Sequence, residues 1–241
     1  MTGGAGGIGT ATCRALAGAG FGVVVAYGRS RERAEALAGE LQGGPHHALA
    51  ADVTDSAALA RMARDVEREL GGCDVLVNAA GTTRFVPHED LDALDDDLID
   101  TILRTNVRGA IAAVRAFRAL LDRSVRAGGG VVVNLSSIAA VTANGSNVAY
   151  CASKAALDNV TRSLARALAP RIRVVSVSPG VVDTGFIRSL DDAWRDEQVL
   201  RTPLGRLATP EEVAAVVVAV ARDLTFTTGS VIAVDGGRPL A

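Results

Sequence analysis

Short runs rich in β-branched residues alternate with longer helical patterns along this chain, and that alternation narrows the fold more than any other feature. The runs lie at 22–27 (GVVVAY), 74–78 (DVLVN), 131–135 (VVVNL), 172–177 (IRVVSV) and 231–234, and they read as buried strands. A weaker run, 46–51, is read as a strand mainly because it ends at Asp52-Val53. Helical stretches at 10–19, 31–41, 56–70, 97–126, 148–168 and 210–223 separate them. Thr209 before Pro210, Glu211 and Glu212 is a good cap and helix start. Strands and helices in alternation predict an α/β fold, a doubly wound parallel sheet with helices on both faces. No linker, repeat or composition break divides residues 1–241, so a single domain is expected.

Composition excludes several classes. At 241 residues and 49% hydrophobic the chain can bury a core without disulfide or metal staples, and it is too apolar for disorder. Aromatics are only 3%, so Ala, Val, Leu and Ile must build that core. The 25 basic and 27 acidic residues are dispersed, which argues against nucleic acid or a membrane surface as partner. Cys13, Cys73 and Cys151 show no CxxC pairing and read as reduced structural thiols. No signal peptide pattern follows Met1, and no apolar run reaches the roughly 18 residues of a membrane span. A soluble, cytoplasmic protein is expected.

The segment Thr2-Gly3-Gly4-Ala5-Gly6-Gly7-Ile8-Gly9 leads into a helix at Thr10. Gly3, Gly7 and Gly9 permit a tight turn, and the helix behind it presents free N–H groups to an anion such as a pyrophosphate. Three later segments accompany this TGxxxGxG spacing. They are Asn78-Ala79-Ala80-Gly81 after a strand, Ser137 thirteen residues before Tyr150-Cys151-Ala152-Ser153-Lys154, and Pro179-Gly180 after another strand. In that order and spacing the set resembles the short-chain dehydrogenase/reductase family across essentially the whole chain.

The resemblance implies a Rossmann fold and a nicotinamide cofactor. By position, Gly3, Gly7, Ile8 and Gly9 would hold the pyrophosphate, and Asp52 and Val53 would flank the adenine. Asn78, Ala79 and Gly81 would support the cofactor and central strand, with Ala79 replacing the family's commoner second Asn. Pro179, Gly180, Val182 and Thr184 would line the nicotinamide. Asp52 also reads as a turn or capping residue. An acidic residue after the second strand would favour NAD, but Tyr27-Gly28-Arg29-Ser30 stands there. Arg29 and Ser30 suit a 2′-phosphate, which favours NADP(H); the alternative makes Arg29 a solvated loop charge beside Arg31 and Arg33.

Tyr150 and Lys154, four apart on a helix, share a face. A phenol titrates near 10, and a neighbouring ammonium draws it toward a useful general acid. Ser137 can polarise a substrate carbonyl, with Ser136 as its adjacent competitor. Asn106 matches the family's helix asparagine, which holds a water linking the lysine to solvent. His46, His47 and His88 lack metal-ligand spacing, so no metal is expected. Asp92, Asp95, Asp96 and Asp97 suit a helix N-terminus.

Residues 185–206 would form a substrate lid carrying Phe186, Ile187, Leu190, Trp194 and Leu200. Its length and the ending Pro203-Leu204-Gly205-Arg206-Leu207 are similar to the 3-oxoacyl-[acyl-carrier-protein] reductase branch of fatty acid biosynthesis. In that branch basic residues at the site mouth receive an acyl carrier protein; Arg123 or Arg126, and Arg171, fall at comparable places. Other ketones of polyketide, sugar or steroid type are the alternative, and a non-catalytic nucleotide sensor a lesser one. The family also implies a homotetramer or homodimer, and a strand of about five apolar residues before the TG turn. Met1 stands directly before Thr2, so the expectation is a natural start upstream, or a truncated and poorly stable form with bare strand edges.

Overall fold

The computed structural model describes residues 1–240, and of Phe186 the backbone alone. The chain runs α1 (Gly7–Gly18), β1 (Val23–Tyr27), α2 (Arg31–Glu40), β2 (His46–Ala50), α3 (Ser56–Leu70) and β3 (Val75–Asn78). It continues through α4 (Asp96–Leu103), a π-helical turn (Arg104–Arg108), α5 (Gly109–Leu121), β4 (Gly130–Leu135), α6 (Ala139–Thr142) and α7 (Val148–Leu168). Last come β5 (Ile172–Pro179), α8 (Gly185–Arg188), α9 (Asp192–Leu200), α10 (Pro210–Arg222) and β6 (Val231–Val234). All six expected strands form, and every strand pair is parallel.

Successive strand residues point to opposite faces, and here both faces are covered. Val25, Val77, Val133 and Val175 pack with Leu16 of α1 and Val213 and Val217 of α10. Val24, Leu76, Val132 and Val174 pack with Leu59 and Met62 of α3 and Ala113 and Phe117 of α5. Burial on both sides is why these strands are apolar throughout. Each such side chain contributes about 1.5–3 kcal/mol when fully withdrawn from water.

The sheet is divided into a two-stranded part, β2–β1, and a four-stranded part, β3–β4–β5–β6. Two residues stitch the parts together. The Met1 nitrogen donates to the Val24 carbonyl (2.8 Å) and the Met1 carbonyl accepts from Ala26 N–H (3.0 Å). On the other side Thr2 N–H donates to the Val77 carbonyl (2.9 Å). Beside this stitch Val23, Val24, Val75 and Val77 help to line a cavity of about 270 Å³ between the facing edges of β1 and β3. Burial pushes the Met1 ammonium below its ordinary pKa.

Three boundaries differ from expectation by two residues or more. Helix α1 starts at Gly7 rather than Thr10, because its glycines are part of the helix and not of a loop before it. The single helix expected over 97–126 is broken by the π turn and ends at Leu121. Gly128 and Gly129, with φ of 81° and 71°, reverse the chain there and bring Gly130 N–H onto the Arg171 carbonyl (3.1 Å). Strand β5 runs two residues further than expected, to Pro179. No helix among the described residues is long and apolar enough to cross a membrane.

Candidate active site

Helix α7 carries the centre of the site. Its N-cap, Asn147, accepts the Tyr150 N–H (2.7 Å) through Oδ1. The Asn147 amide donates to the Arg84 carbonyl (2.7 Å) and Thr83 Oγ1 (3.2 Å), which fastens the segment after β3 to the helix start. Tyr150 and Lys154 lie on one face, with the ammonium 5.6 Å from the phenol ring centroid. Lys154 Nζ donates to the carbonyl of Leu135, the last residue of β4 (2.7 Å). Ser137, two residues beyond, lies near enough to the Tyr150 phenol to draw its pKa down, and its Oγ accepts Ala139 N–H (3.2 Å). Ser136 is buried with an unpartnered hydroxyl, so Ser137 is the serine that meets the tyrosine.

Burial raises the Tyr150 phenol above its ordinary value, and the nearby Ser137 opposes that rise. The lowering expected from a neighbouring ammonium does not prevail. Desolvation is the larger effect, and the Lys154 ammonium is turned to the Leu135 carbonyl. Lys154 itself is pushed down to about 8 by burial, with Asp158 acting in the opposite direction.

The π turn places Asn106 inside the molecule, 2% exposed. Its amide donates to the Thr82 carbonyl and to Ser153 Oγ (both 3.1 Å), and its Oδ1 accepts Thr82 N–H (2.8 Å). Asn106 therefore ties the segment after β3 to α7, and these bonds do not include Lys154.

The glycine turn closes against the parts of the chain expected at the same cofactor. A Cβ on Gly3 would stand 2.7 Å from the Ala79 carbonyl, and one on Gly7 would stand 2.8 Å from Thr184 Cγ2. One on Gly9 would stand 2.2 Å from the Gly3 carbonyl. Gly6, the N-cap of α1, has no side chain to cap the first-turn amides at Gly7, Ile8 and Gly9. An uncapped helix start behind a turn that only glycine can form fits a pyrophosphate.

Around it, the Asn78 amide donates to Asn134 Oδ1 (2.9 Å), while its own Oδ1 is buried without a partner. Gly81 is exposed, near Asn106. Pro179 accepts Ile138 N–H (2.9 Å), Gly180 donates to Val234 (3.0 Å), and Thr184 donates to Val182 (2.7 Å), which fixes the 179–184 segment beside the sheet. Arg29 is exposed after β1 and makes no ion pair among the described residues. Ser30 Oγ accepts from Arg33 (2.6 Å). Asp52 Oδ1 accepts Thr54 N–H (2.8 Å), which is the turn role, and Val53 packs on Gly109.

Thr2 was not singled out by the sequence, yet its hydroxyl is buried at the joint. Thr2 Oγ1 accepts from Ala79 N–H (3.2 Å) and Ala80 N–H (3.3 Å). Asn147 was also missed, although an Asn directly before a helical pattern is a readable cap. Of the acidic cluster, Asp95 caps α4 through Leu98 N–H (2.7 Å) and pairs with Arg84 (3.0 Å).

The expected lid contains α8 and α9. Asp183 pairs with Arg188 (3.1 Å) and Arg195 (3.4 Å), clasping it to the end of the 179–184 segment. Ile187, Leu190 and Trp194 are half-buried and Leu200 is exposed; the side chain of Phe186 lies outside the described residues. The arginines expected at the site mouth are elsewhere within this chain. Arg171 precedes β5 and Arg126 precedes β4, at the opposite ends of the strands from Ser137 and Tyr150. The eight residues of β5 alone span roughly 26 Å. Arg123 pairs with Glu67 (2.5 Å), Arg171 approaches Asp122 (3.9 Å), and Arg126 lies over the Phe21 ring at 4.3 Å.

A family model described as Enoyl-(Acyl carrier protein) reductase matches residues 3–238. The ketoacyl reductase 2 named for the granaticin polyketide synthase of Streptomyces violaceoruber is 38% identical over 242 residues, spanning 100% of this chain and 95% of that protein. The 3-oxoacyl-[acyl-carrier-protein] reductase of Thermotoga maritima is 34% identical, over 98% of this chain and 95% of that one. The crystal structure of a gluconate 5-dehydrogenase from Burkholderia cenocepacia, in complex with NADP and tartrate, superposes with a TM-score of 0.90 at 29% identity. It covers 100% of this chain and 94% of that one.

Proposed function

The chain belongs to the short-chain dehydrogenase/reductase family, and from that premise we propose that it is an NADP(H)-dependent ketoreductase whose substrates are 3-oxoacyl thioesters. The oxidoreductase class follows from the family; the thioester is our reading. The observation that carries it is the pair Tyr150 and Lys154 on one face of α7, with the ammonium 5.6 Å from the phenol ring centroid and Ser137 close by after β4.

In this reading Ser137 and Tyr150 hydrogen-bond one carbonyl oxygen and polarise it. A phenol held above its ordinary pKa keeps its proton at neutral pH, which is the form a reduction needs from its acid. Tyr150 donates that proton to the oxygen, and Lys154 supplies the positive charge that steadies the phenolate left behind. NADPH, when bound, supplies the hydride. The uncapped start of α1 would hold its pyrophosphate, Thr184 and the 179–184 backbone its nicotinamide end, and the unpaired Arg29 its 2′-phosphate. The 185–206 segment, clasped through Asp183, would cover the substrate as part of one domain. Assembly into a homotetramer or homodimer belongs to the same proposal.

The test is oxidation of NADPH against NADH with an acetoacetyl thioester at neutral pH, using Tyr150→Phe as the control. Turnover with NADPH that vanishes in the variant is expected. Turnover with a sugar or polyol and none with the thioester would move the chain to the dehydrogenase side of the family, where the gluconate 5-dehydrogenase lies. Tight NADPH binding without turnover on any ketone would favour a nucleotide sensor.

A further inference from the structure

Among the described residues three charged side chains are buried: Lys154, Asp158 and Arg173. Arg173 is accounted for. Its guanidinium donates to the carbonyls of Gly128 (3.0 Å), Leu224 (2.9 Å), Val220 (3.2 Å) and Thr227 (3.4 Å) at the start of β5. Lys154 and Asp158 remain, 7% and 4% exposed and one turn apart on the same face of α7. Asp158 Oδ1 is buried and has no hydrogen-bond partner. Buried charged groups are as a rule paired with a group of opposite charge.

The elements packed on this face offer no other charge. Strand β4 presents the Leu135 carbonyl to Lys154 and Asn134 to Thr161, and β5 presents Ser176 to Thr161. The π turn presents Asn106 to Ser153. Its charged residues Arg104 and Arg108 are exposed, as are Asp96, Asp97 and Asp100 of α4 and Arg162 and Arg166 of α7, where water screens them. Helix α6 has no charged residue. Tyr150 and Cys151, the remaining titratable groups, are neutral when protonated, and burial raises the pKa of both. Against the burial that drives Lys154 toward its neutral form, Asp158 is the one opposing charge.

We propose that Asp158 is a positioning residue: its carboxylate is the counter-charge that keeps Lys154 an ammonium, and through that lysine it acts on Tyr150. The proposal rests on Tyr150 and Lys154 being the catalytic pair, and the test separates the two ideas. Asp158→Asn removes the charge and preserves the shape. Acetylation of Lys154 by acetic anhydride, followed against pH by mass spectrometry, reads the lysine without any turnover. The midpoint is expected to fall by about one pH unit or more in Asp158→Asn and to stay near wild type in Asp158→Glu, which keeps the charge. With a ketone substrate, the high-pH limb of turnover should move down with it, and Asp158→Glu should restore the profile. An unmoved labelling midpoint in Asp158→Asn overturns the proposal even if that variant is less stable, because a merely structural residue would change stability alone. Should the Asn variant not fold, the carbon-13 shift of the Asp158 carboxyl in the unaltered protein decides. An ionised carboxylate at neutral pH supports the proposal, and a protonated one sinks it.

Discussion

The two parts of the sheet are joined to the rest of the molecule by different means. From β3 to β6 the ladder is continuous, and the residues of β4 are buried from end to end. The proposed chemistry sits on this part: Ser137 follows β4, Lys154 leans on its last carbonyl, and α7 packs along β5. Within the plane of the sheet, the part formed by β1 and β2 meets the other through Met1 and Thr2, with a cavity beside them. It carries Arg29 and Ser30, the residues read as choosing the cofactor. The reacting groups are thus fixed by an unbroken ladder, whereas the nucleotide end shares the apolar cores on both faces but has only a few backbone bonds in the plane of the sheet. Variants in the first part should change rate and leave stability alone, and variants at the joint should do the reverse.

The sharpest contrast comes from Tyr150→Phe. Removing a positioned acid costs about 10²–10⁴-fold in turnover, while loss of one hydroxyl from the half-buried Tyr150 changes stability by about 1 kcal/mol at most. Steady-state kinetics beside a denaturant melt measures both. A variant that unfolds in proportion to its lost activity would break the comparison on the catalytic side.

Gly9→Ala should do the opposite. The new Cβ would stand 2.2 Å from the Gly3 carbonyl and 2.8 Å from that of Gly4, both backbone atoms, so α1 must move as a whole. A loss of about 3 kcal/mol is expected, seen as a lower denaturant midpoint, with NADPH affinity falling in parallel. Unchanged stability would show that the glycine turn is looser than its contacts imply.

Arg29→Glu tests the cofactor choice, with a smaller effect confined to one ligand. The exposed side chain has no ion pair among the described residues to break, so stability should hold. A charged hydrogen bond to a phosphate contributes about 1.5–3 kcal/mol, so NADPH affinity should fall by about 10- to 100-fold while NADH affinity is maintained or rises. Equal losses for both cofactors would make Arg29 a solvated loop charge.

How much of this was legible in the sequence follows the same division. The strands and α7 could be read because both-face burial leaves apolar runs and a long helix leaves its period. The pair Tyr150 and Lys154 is local to one helix, and its partner Ser137 lies just past a strand that could be read. Contacts across the chain were not legible. Asn78 meets Asn134 and Thr2 meets Ala79 and Ala80, joining segments more than fifty residues apart, and nothing local marks them. The π turn has no composition signal, so Asn106 was placed on a plain helix and its grip on Thr82 and Ser153 was missed. The placing of Arg171 and Arg126 was avoidable. Both precede strands, and a residue before a parallel strand lies at the end away from ligands.

Thr2→Val asks how far the joint itself holds the two parts together. Valine keeps the volume of the threonine and its place in the bridge to Asn78, and the Thr2 backbone bond to Val77 is untouched. What goes is the hydroxyl, and with it the acceptor for the N–H groups of Ala79 and Ala80. Those two donors sit where the glycine turn presses on the end of β3, with little room for water to replace the oxygen. A cost of about 1–2 kcal/mol is expected, the scale of part-buried donors left without partners. Hydrogen exchange should locate it: Ala79 and Ala80 lose protection, while the amides of β4 and β5 keep theirs. Protection lost evenly across all six strands would mean that the sheet opens as one body, and that its two parts are more strongly coupled than two stitching residues suggest.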